Sequence, residues 1–452
     1  MFSSVLIANR GEIALRIART CRDLGIRTIL AHSTADHESA AAFYVDEKVQ
    51  IGPEAARHSY LNAAAIVSAA LHTGAEAVHP GYGFLSEDPD FADACESHGL
   101  TFIGPPPGVL ARLGDKSLAR QFAESAGLPL LPGSRGVLDS AAEAKDVADK
   151  IGYPVIIKAV AGGGGRGMMV VREPGDFMRA YAETRAVAQS VFGDPRVYVE
   201  RFLDAARHVE VQIIADRYGS VVHLGTRDCS VQRRRQKLIE ESPPPGIPAE
   251  VLDRMSAAAA HCAREAGYVG AGTFEFVMDD EHNFYFMEVN CRIQVEHPVT
   301  ELVTSVDLVR EQLAAAAGQR LSLRQEDVQF QGVAIECRVN TEDPERAFLP
   351  TPGVLDVFAP PTGPFTRVDT AGYPGMRITP YYDSLLAKVL VWAPDRDEAI
   401  RRMDRALSEF RVIGHGVRTT LGFLREVLRN PLFRRGEHVT SLVDEMLADE
   451  RN

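Results

Sequence analysis

Two apolar stretches of the chain each carry a carboxylate among aromatic residues. They are Phe274-Glu275-Phe276 and Phe286-Met287-Glu288-Val289-Asn290. The turn-forming Asp279-Asp-Glu-His282 lies between them, so the pattern predicts a β-hairpin. In a hairpin Glu275 and Glu288 oppose one another across neighbouring strands, on the face shared with Asn290. Two close carboxylates repel unless a cation lies between them. Oxygen donors of this kind suit magnesium with substrate phosphates, whereas zinc would want His or Cys. The apolar neighbours argue for half-buried strands rather than a solvated polar face.

The hairpin runs into Cys291-Arg-Ile-Gln-Val-Glu-His297. Arg292, Gln294 and Glu296 alternate, which puts them on one side of an extended segment. A cation beside a carboxylate can hold a small anion while the carboxylate acts as base. By themselves these residues read equally well as a structural salt bridge, and His297 before Pro298 reads as structural.

Upstream, Ala161-Gly-Gly-Gly-Gly-Arg-Gly-Met168 contains G-x-G-x-x-G. A dinucleotide loop must open a helix, yet Met169-Val-Val171 continues as a strand, and no Gly-Lys-Ser/Thr follows as in a P-loop. The element is a hairpin with a glycine tip, whose bare N–H groups can close over phosphates, with Lys158 as a point charge. Four successive glycines cost backbone entropy, which an idle surface hairpin has little reason to bear. Ser230-Val-Gln-Arg-Arg-Arg-Gln-Lys237 concentrates positive charge on an acidic chain and reads as a local anion funnel rather than a solvated strand.

The elements that position these groups alternate. Ser4–Ala8 is a strand, and Gly11–Leu24 has helical spacing through Ile13, Ile17, Cys21 and Leu24. Thr28–His32, Ala77–Val78 and Thr101–Ile103 are strands, with helices over Tyr60–Thr73 and Pro89–His98. That βαβ series predicts a parallel sheet with its ligand edge at the strand C-termini. Pro105-Pro-Pro-Gly108 marks a boundary. Ala141–Ile151, Pro154–Ala159, Met168–Val171 and Gly175–Ser190 then form a compact module of helices and strands.

At ~150 residues per domain, 452 residues suggest about three domains. With 62 acidic against 49 basic residues the net charge is −13, which argues against nucleic acid as a partner. No apolar run approaches the ~20 residues that span a bilayer. The N-terminus has no basic leader, and the six cysteines are scattered without a CxxC, as expected for a cytoplasmic protein.

Taken together, these segments resemble the biotin carboxylase family of the ATP-grasp superfamily. The likeness is carried by Ile7-Ala-Asn-Arg-Gly-Glu-Ile13, His79-Pro-Gly-Tyr-Gly-Phe-Leu-Ser-Glu87, Gly114-Asp-Lys116, Gly162–Met168, Arg227-Asp-Cys-Ser230, Phe286–Glu301, Glu336-Cys-Arg338 and Tyr382-Asp-Ser384. It covers nearly the whole chain, and the order and spacing of the set are specific.

The resemblance implies an α/β and α+β ATP-grasp enzyme. An N-terminal Rossmann-like domain would span residues 1–114, and the ATP-grasp domain 115–330, with a glycine-tipped lid at about 132–203. A C-terminal biotin carboxylase domain would span 331–447. It implies that ATP, Mg2+ (or Mn2+) and bicarbonate carboxylate a biotin held on a carrier protein, through carboxyphosphate. Position by position, Lys116 and Lys158 match phosphate lysines, and Gly163, Gly164, Gly165, Arg166 and Gly167 match the lid. Glu200 and Leu203 match the adenine hinge. His208 and Gln232 match further ATP contacts, and Arg235 stands beside the ribose. Glu275, Glu288 and Asn290 match metal ligands. Lys237, Arg292, Gln294 and Val295 match the bicarbonate pocket, Glu296 its base, and Arg338 the group that stabilises the biotin enolate. The residues alone leave Arg338 open to an ion pair with Glu336.

Three positions depart from the family pattern. Arg235 replaces His, Cys291 replaces Thr, and Arg201 replaces Lys. Arg235 leaves room for a nucleotide-binding, non-catalytic role, and another ATP-grasp carboxylate–amine ligase is the other rival. No Met-Lys pair, the attachment signature of carrier domains, occurs. The resemblance further implies a homodimeric component of an acetyl-CoA or acyl-CoA carboxylase in fatty acid biosynthesis. It would work with a separate biotin carboxyl carrier protein and a carboxyltransferase subunit.

Overall fold

The structure is a computed structural model that describes residues 1–134, 136–138, 140–161 and 167–449. The first region is a parallel five-stranded sheet. Its spatial order is Glu47–Gly52, Arg27–Ser33, Ser4–Ile7, Ala77–His79, Thr101–Phe102. The helix Gly11–Asp23 buries Ile13, Ile17 and Cys21, one helical stripe, against this sheet. The strand Glu47–Gly52 carries only the short alternation of Val49 and Ile51 and escaped the sequence reading; it pairs with Arg27–Ser33 in the sheet. At the strand C-termini, Asn9 donates to the carbonyls of Pro80 and Tyr82, 2.7 Å each. That amide ties the first βα turn to the His79–Glu87 loop.

The second region, which the resemblance assigns as a lid, is an antiparallel three-stranded sheet, Met168–Val171, Val155–Ala159 and Val197–Arg201. The helices Ala141–Ile151 and Phe177–Phe192 pack against it. Ser140 caps the first by accepting from the Glu143 N–H. Its core residues, among them Ala144, Ile157, Phe177 and Val199, form a cluster drawn wholly from the lid.

Catalytic-type residues ride on a third, eight-stranded antiparallel sheet. Its order is Phe284–Asn290, Gly270–Met278, Arg207–Ala215, Val221–Arg233, Gln236–Ser242, Val333–Asn340, Leu385–Ala393, Thr366–Thr370. The pairing Ile239↔Cys337 carries it across residue 331 without a break. Phe274, Phe276 and Phe286 share one core with Leu6, Ile29 and Val78, which locks the first region to this sheet. Among the described residues no helix is long and apolar enough to cross a membrane, and all six cysteines are buried and free.

Candidate active site

The predicted hairpin forms, with Glu275 opposite Glu288 and Thr273 opposite Asn290. Asn290 donates to Glu275 at 2.7 Å. Both carboxylates have cationic neighbours: Lys116 lies 2.9 Å from Glu288, and Lys237 lies 2.9 Å from Glu275. Lys116 gets there because Asp115 caps the helix Lys116–Ser125 at its first turn. Glu275, Glu288 and the Asn290 amide oxygen make an all-oxygen donor set on one face, which fits a hard divalent cation.

Lys237 departs from the funnel expectation. The strands Val221–Arg233 and Gln236–Ser242 form a hairpin whose tip is Arg234 and Arg235, both at positive φ (48° and 67°). Two residues past the tip, Lys237 turns inward. Its ammonium lies 2.6 Å from Glu210, 2.9 Å from Glu275 and 2.6 Å from Glu296. Burial opposes its charge, but these three carboxylates raise its pKa well above the ordinary lysine value. Two clusters, His208/Glu210/Glu275 and Glu210/Cys229/Glu296, have metal-like spacing. Lys237 already neutralises both.

Glu296 ends the hairpin's extension and precedes the helix His297–Thr304. Its two oxygens face Lys237 at 2.6 Å and Arg338 at 2.8 Å. Burial alone would raise its pKa, but these cations hold the carboxyl well below the usual range. The two cations thus favour the carboxylate form of Glu296. Arg338 does not pair with Glu336. Its second partner is Glu240, at 2.6 Å. The segment 291–296 is irregular rather than extended, yet it brings its residues together. Arg292 bonds Gln294 at 3.0 Å, Asn290 at 3.0 Å and Glu87 at 2.8 Å, and Gln294 donates to Glu275 at 3.0 Å. The Val295 carbonyl accepts from Lys388 at 2.9 Å. His208 meets Glu275 at 3.0 Å, and burial's downward pull on its pKa is outweighed by that carboxylate. His297 is fully buried, its Nδ1 2.7 Å from the Gln294 carbonyl, a structural place.

A second group lies on the lid side. Lys158 and Arg120 both contact the carboxylate of Glu200. Burial, together with Lys116, Arg120 and Arg235, pushes the Lys158 ammonium down to about 7. Arg235 thus stands near the lid lysine, with Tyr198 and Glu288 as its other charged or polar neighbours. Gln232 is buried opposite Lys237, and Leu203 is half-buried just past the strand Val197–Arg201. Gly163, Gly164, Gly165 and Arg166 lie outside the described residues. Gly167 sits at φ +70°, where a Cβ would fall 2.9 Å from the Ala159 methyl, so no side chain fits. Of the other departures, Arg201 donates to the Ile151 carbonyl at 2.9 Å, and the Cys291 N–H donates to Glu87 at 2.8 Å.

Four residues of this site have no role that the sequence alone assigned. Glu210 and Arg227 are fully buried partners at 2.6 Å. Glu240 holds Arg338. Lys388 is fully buried 3.0 Å from Glu12. The available signal was a lone charge inside an apolar strand, as in Leu385-Leu-Ala-Lys-Val-Leu-Val391.

Comparison with known proteins places this geometry. Residues 1–110 match the family model described as "Biotin carboxylase, N-terminal domain". Residues 115–324 match "Carbamoyl-phosphate synthase L chain, ATP binding domain", and 336–445 match "Biotin carboxylase C-terminal domain". The chain is 50% identical to "Biotin carboxylase 1" of Bacillus subtilis (strain 168) over 445 residues, 98% of each protein. It is 48% identical to a pyruvate carboxylase subunit of Methanothermobacter thermautotrophicus, covering 98% of this chain and 90% of that protein. Among solved structures it superposes with TM-score 0.95 on the biotin carboxylase domain dimer of Hydrogenobacter thermophilus 2-oxoglutarate carboxylase. That complex holds MgADP, ADP and bicarbonate; identity is 44%, with 98% of each chain covered.

Proposed function

The chain belongs to the biotin carboxylase family, and from that premise we propose that Glu296, between Lys237 and Arg338, is the base of an ATP-dependent carboxylation of biotin. The activity of the family, ATP-dependent biotin carboxylation, accounts for the charge arrangement. Lys116, Lys158 and the glycine tip meet the nucleotide phosphates, with Glu200, Leu203, His208, Gln232 and Arg235 around the rest of the nucleotide. A magnesium or manganese ion held by Glu275, Glu288 and Asn290 would neutralise phosphate charge. Arg292, Gln294, Lys237 and the Val295 backbone hold bicarbonate, and Glu296 takes its proton. The bicarbonate oxygen attacks the γ-phosphorus, ADP leaves, and carboxyphosphate splits to carbon dioxide and phosphate. Biotin N1′ gives its proton to the released phosphate and attacks the carbon dioxide, with Arg338 stabilising the ureido oxygen as it gains charge.

The observation that carries this reading is the Glu296 carboxyl group wedged between the Lys237 and Arg338 cations, beside the Arg292–Gln294 pair. Bicarbonate- and biotin-dependent ADP release by the purified chain tests it. No stimulation by biotin would overturn it.

The biotin is carried on a separate carrier protein, and the chain acts as a homodimer in the cytoplasm beside a carboxyltransferase subunit. We assign the final acceptor to acetyl-CoA or another acyl-CoA, in fatty acid biosynthesis. The 48% identity to a pyruvate carboxylase component favours a second reading, in which the acceptor is a 2-oxo acid. Supplying the native carrier and transferase with acetyl-CoA, pyruvate or 2-oxoglutarate, and following labelled bicarbonate into product, separates the two.

A further inference from the structure

Three segments that received no chemical role, around Asn9–Glu12, Tyr82–Phe84 and Tyr381–Asp383, meet at a recess of about 290 Å³. Tyr82 in its wall bonds Glu12 at 2.5 Å, Glu12 pairs with Lys388 at 3.0 Å, and Lys388 stands opposite Arg338 in the strand register. The recess therefore opens beside the Arg338 centre. A larger cleft of about 780 Å³ lies next to it and shares Arg10, Tyr381, Tyr382, Asp383 and Leu385. One lip separates the two cavities.

The lip is rigid. Arg10 grips Asp36 through two bonds, 2.9 and 3.0 Å, and lies 4.1 Å over the Tyr382 ring. Tyr60 donates to the same Asp36 at 2.7 Å, and the Tyr382 hydroxyl is 2.6 Å from the Glu54 carbonyl. The outer cleft is built differently from its floor. Tyr381 is 52% exposed, and the exposed Arg377 and Asp383 have no ion-pair partner among the described residues. Exposed Tyr and Arg with idle charges on a fixed backbone are the residue types that anchor protein partners. The acidic Asp36, Glu38 and Glu54 around the same cleft disfavour a nucleotide or free phosphate.

We propose that the outer cleft seats the biotinylated carrier domain, whose arm passes over the Tyr381–Asp383 lip into the inner recess toward Arg338. The inference rests on the assignment of the chain as a biotin carboxylase acting on a separate carrier. It adds a protein-docking face, with Arg377 and Tyr381 as its anchors and the rigid Arg10–Tyr382 wall as its support. Free biotin needs only the inner recess, so the two substrates respond differently to the outer cleft.

The test compares free biotin with a purified biotinylated carrier domain for wild type, Arg377→Glu and Arg377→Ala, since Arg377 lines the outer cleft and not the inner recess. The expected result is a KM for the carrier raised about tenfold or more, with kcat/KM for free biotin kept within about twofold. The same carrier domain without biotin should inhibit the wild-type carrier reaction and inhibit Arg377→Glu much less. An unchanged carrier KM in both variants overturns the docking face. So does an equal loss on both substrates, which would mean that Arg377 shapes the chemical centre. Absence of biotin-dependent ADP release in the wild type would instead refute the carboxylase reading and take the docking face with it.

Discussion

The Lys388 ammonium lies 2.9 Å from the Val295 carbonyl, one residue before the proposed base Glu296. The same ammonium lies 3.0 Å from Glu12 and 4.0 Å from Asp369. One buried lysine thus ties the first helix, the 291–296 segment and the C-terminal strands together. Burial disfavours its charge, but Glu12, Glu336 and Asp369 raise its pKa. Lys388→Met should destabilise the protein by roughly 3–5 kcal/mol, because it strands buried carboxylates. Adding Glu12→Gln should recover part of that loss. Chemical denaturation of the single and double variants measures both, and a loss below about 1 kcal/mol would dismiss the tie.

Glu296→Gln keeps the shape of the site and removes the base. Bicarbonate-dependent ATP hydrolysis should fall roughly 100- to 10,000-fold, while nucleotide affinity by titration calorimetry stays near wild type. Glu296 is held well below the usual carboxylate range, so its protonation does not set an acid limb of the rate near neutral pH. Turnover close to wild type in the variant would end its role as base.

Glu240 and Glu336 face each other across neighbouring strands, both fully buried. Two such carboxyls cannot both ionise cheaply. Burial pushes Glu240 up to about 7 against the pull of Arg338, and it pushes Glu336 further, well above the usual range. Glu336 is thus the neutral member and Glu240 the partner of Arg338. Glu336→Gln should leave biotin carboxylation within about twofold of wild type. Glu240→Gln should free Arg338 and lower biotin-dependent carboxylation about tenfold or more, with less effect on biotin-independent ATP hydrolysis. Equal responses would remove the distinction.

Lys158 supplies the pH dependence. Its ammonium is pushed down to about 7 in the free protein, and a bound triphosphate raises it again. Binding is therefore strongest below pH 7, where Lys158 is already charged. It weakens as pH rises through 7, approaching tenfold per pH unit and accompanied by proton uptake. Calorimetry in buffers of different ionisation heat reads that uptake; none at pH 8 would contradict it.

Arg235 is one of the cations that depress Lys158. Arg235→His removes a permanent charge above pH 7. The pH at which nucleotide affinity begins to fall should then move upward, and the affinity at pH 8 should change. Superimposable pH profiles would show that Arg235 lies outside the nucleotide pocket.

What could be read along the chain was local. The stripe Ile13, Ile17, Cys21 is a helix, and the turn Asp279-Asp-Glu-His282 puts Glu275 opposite Glu288, because strand parity and turn chemistry are short-range properties. The order of the motifs was also enough to point to the family. The partners of the charges were not legible. Strand parity sets Arg338 beside Glu336, yet it pairs with Glu240 and Glu296, which come from elements nearly 100 and about 40 residues away. Lys237 read along the chain as part of a basic run forming an anion funnel, yet it turns into a cage of Glu210, Glu275 and Glu296. Those meetings depend on the order of the eight-stranded sheet and on the packing of the first region against it. Sheet order is set by long-range burial rather than by neighbouring residues, so the tertiary structure alone decided which carboxylate each buried cation would face.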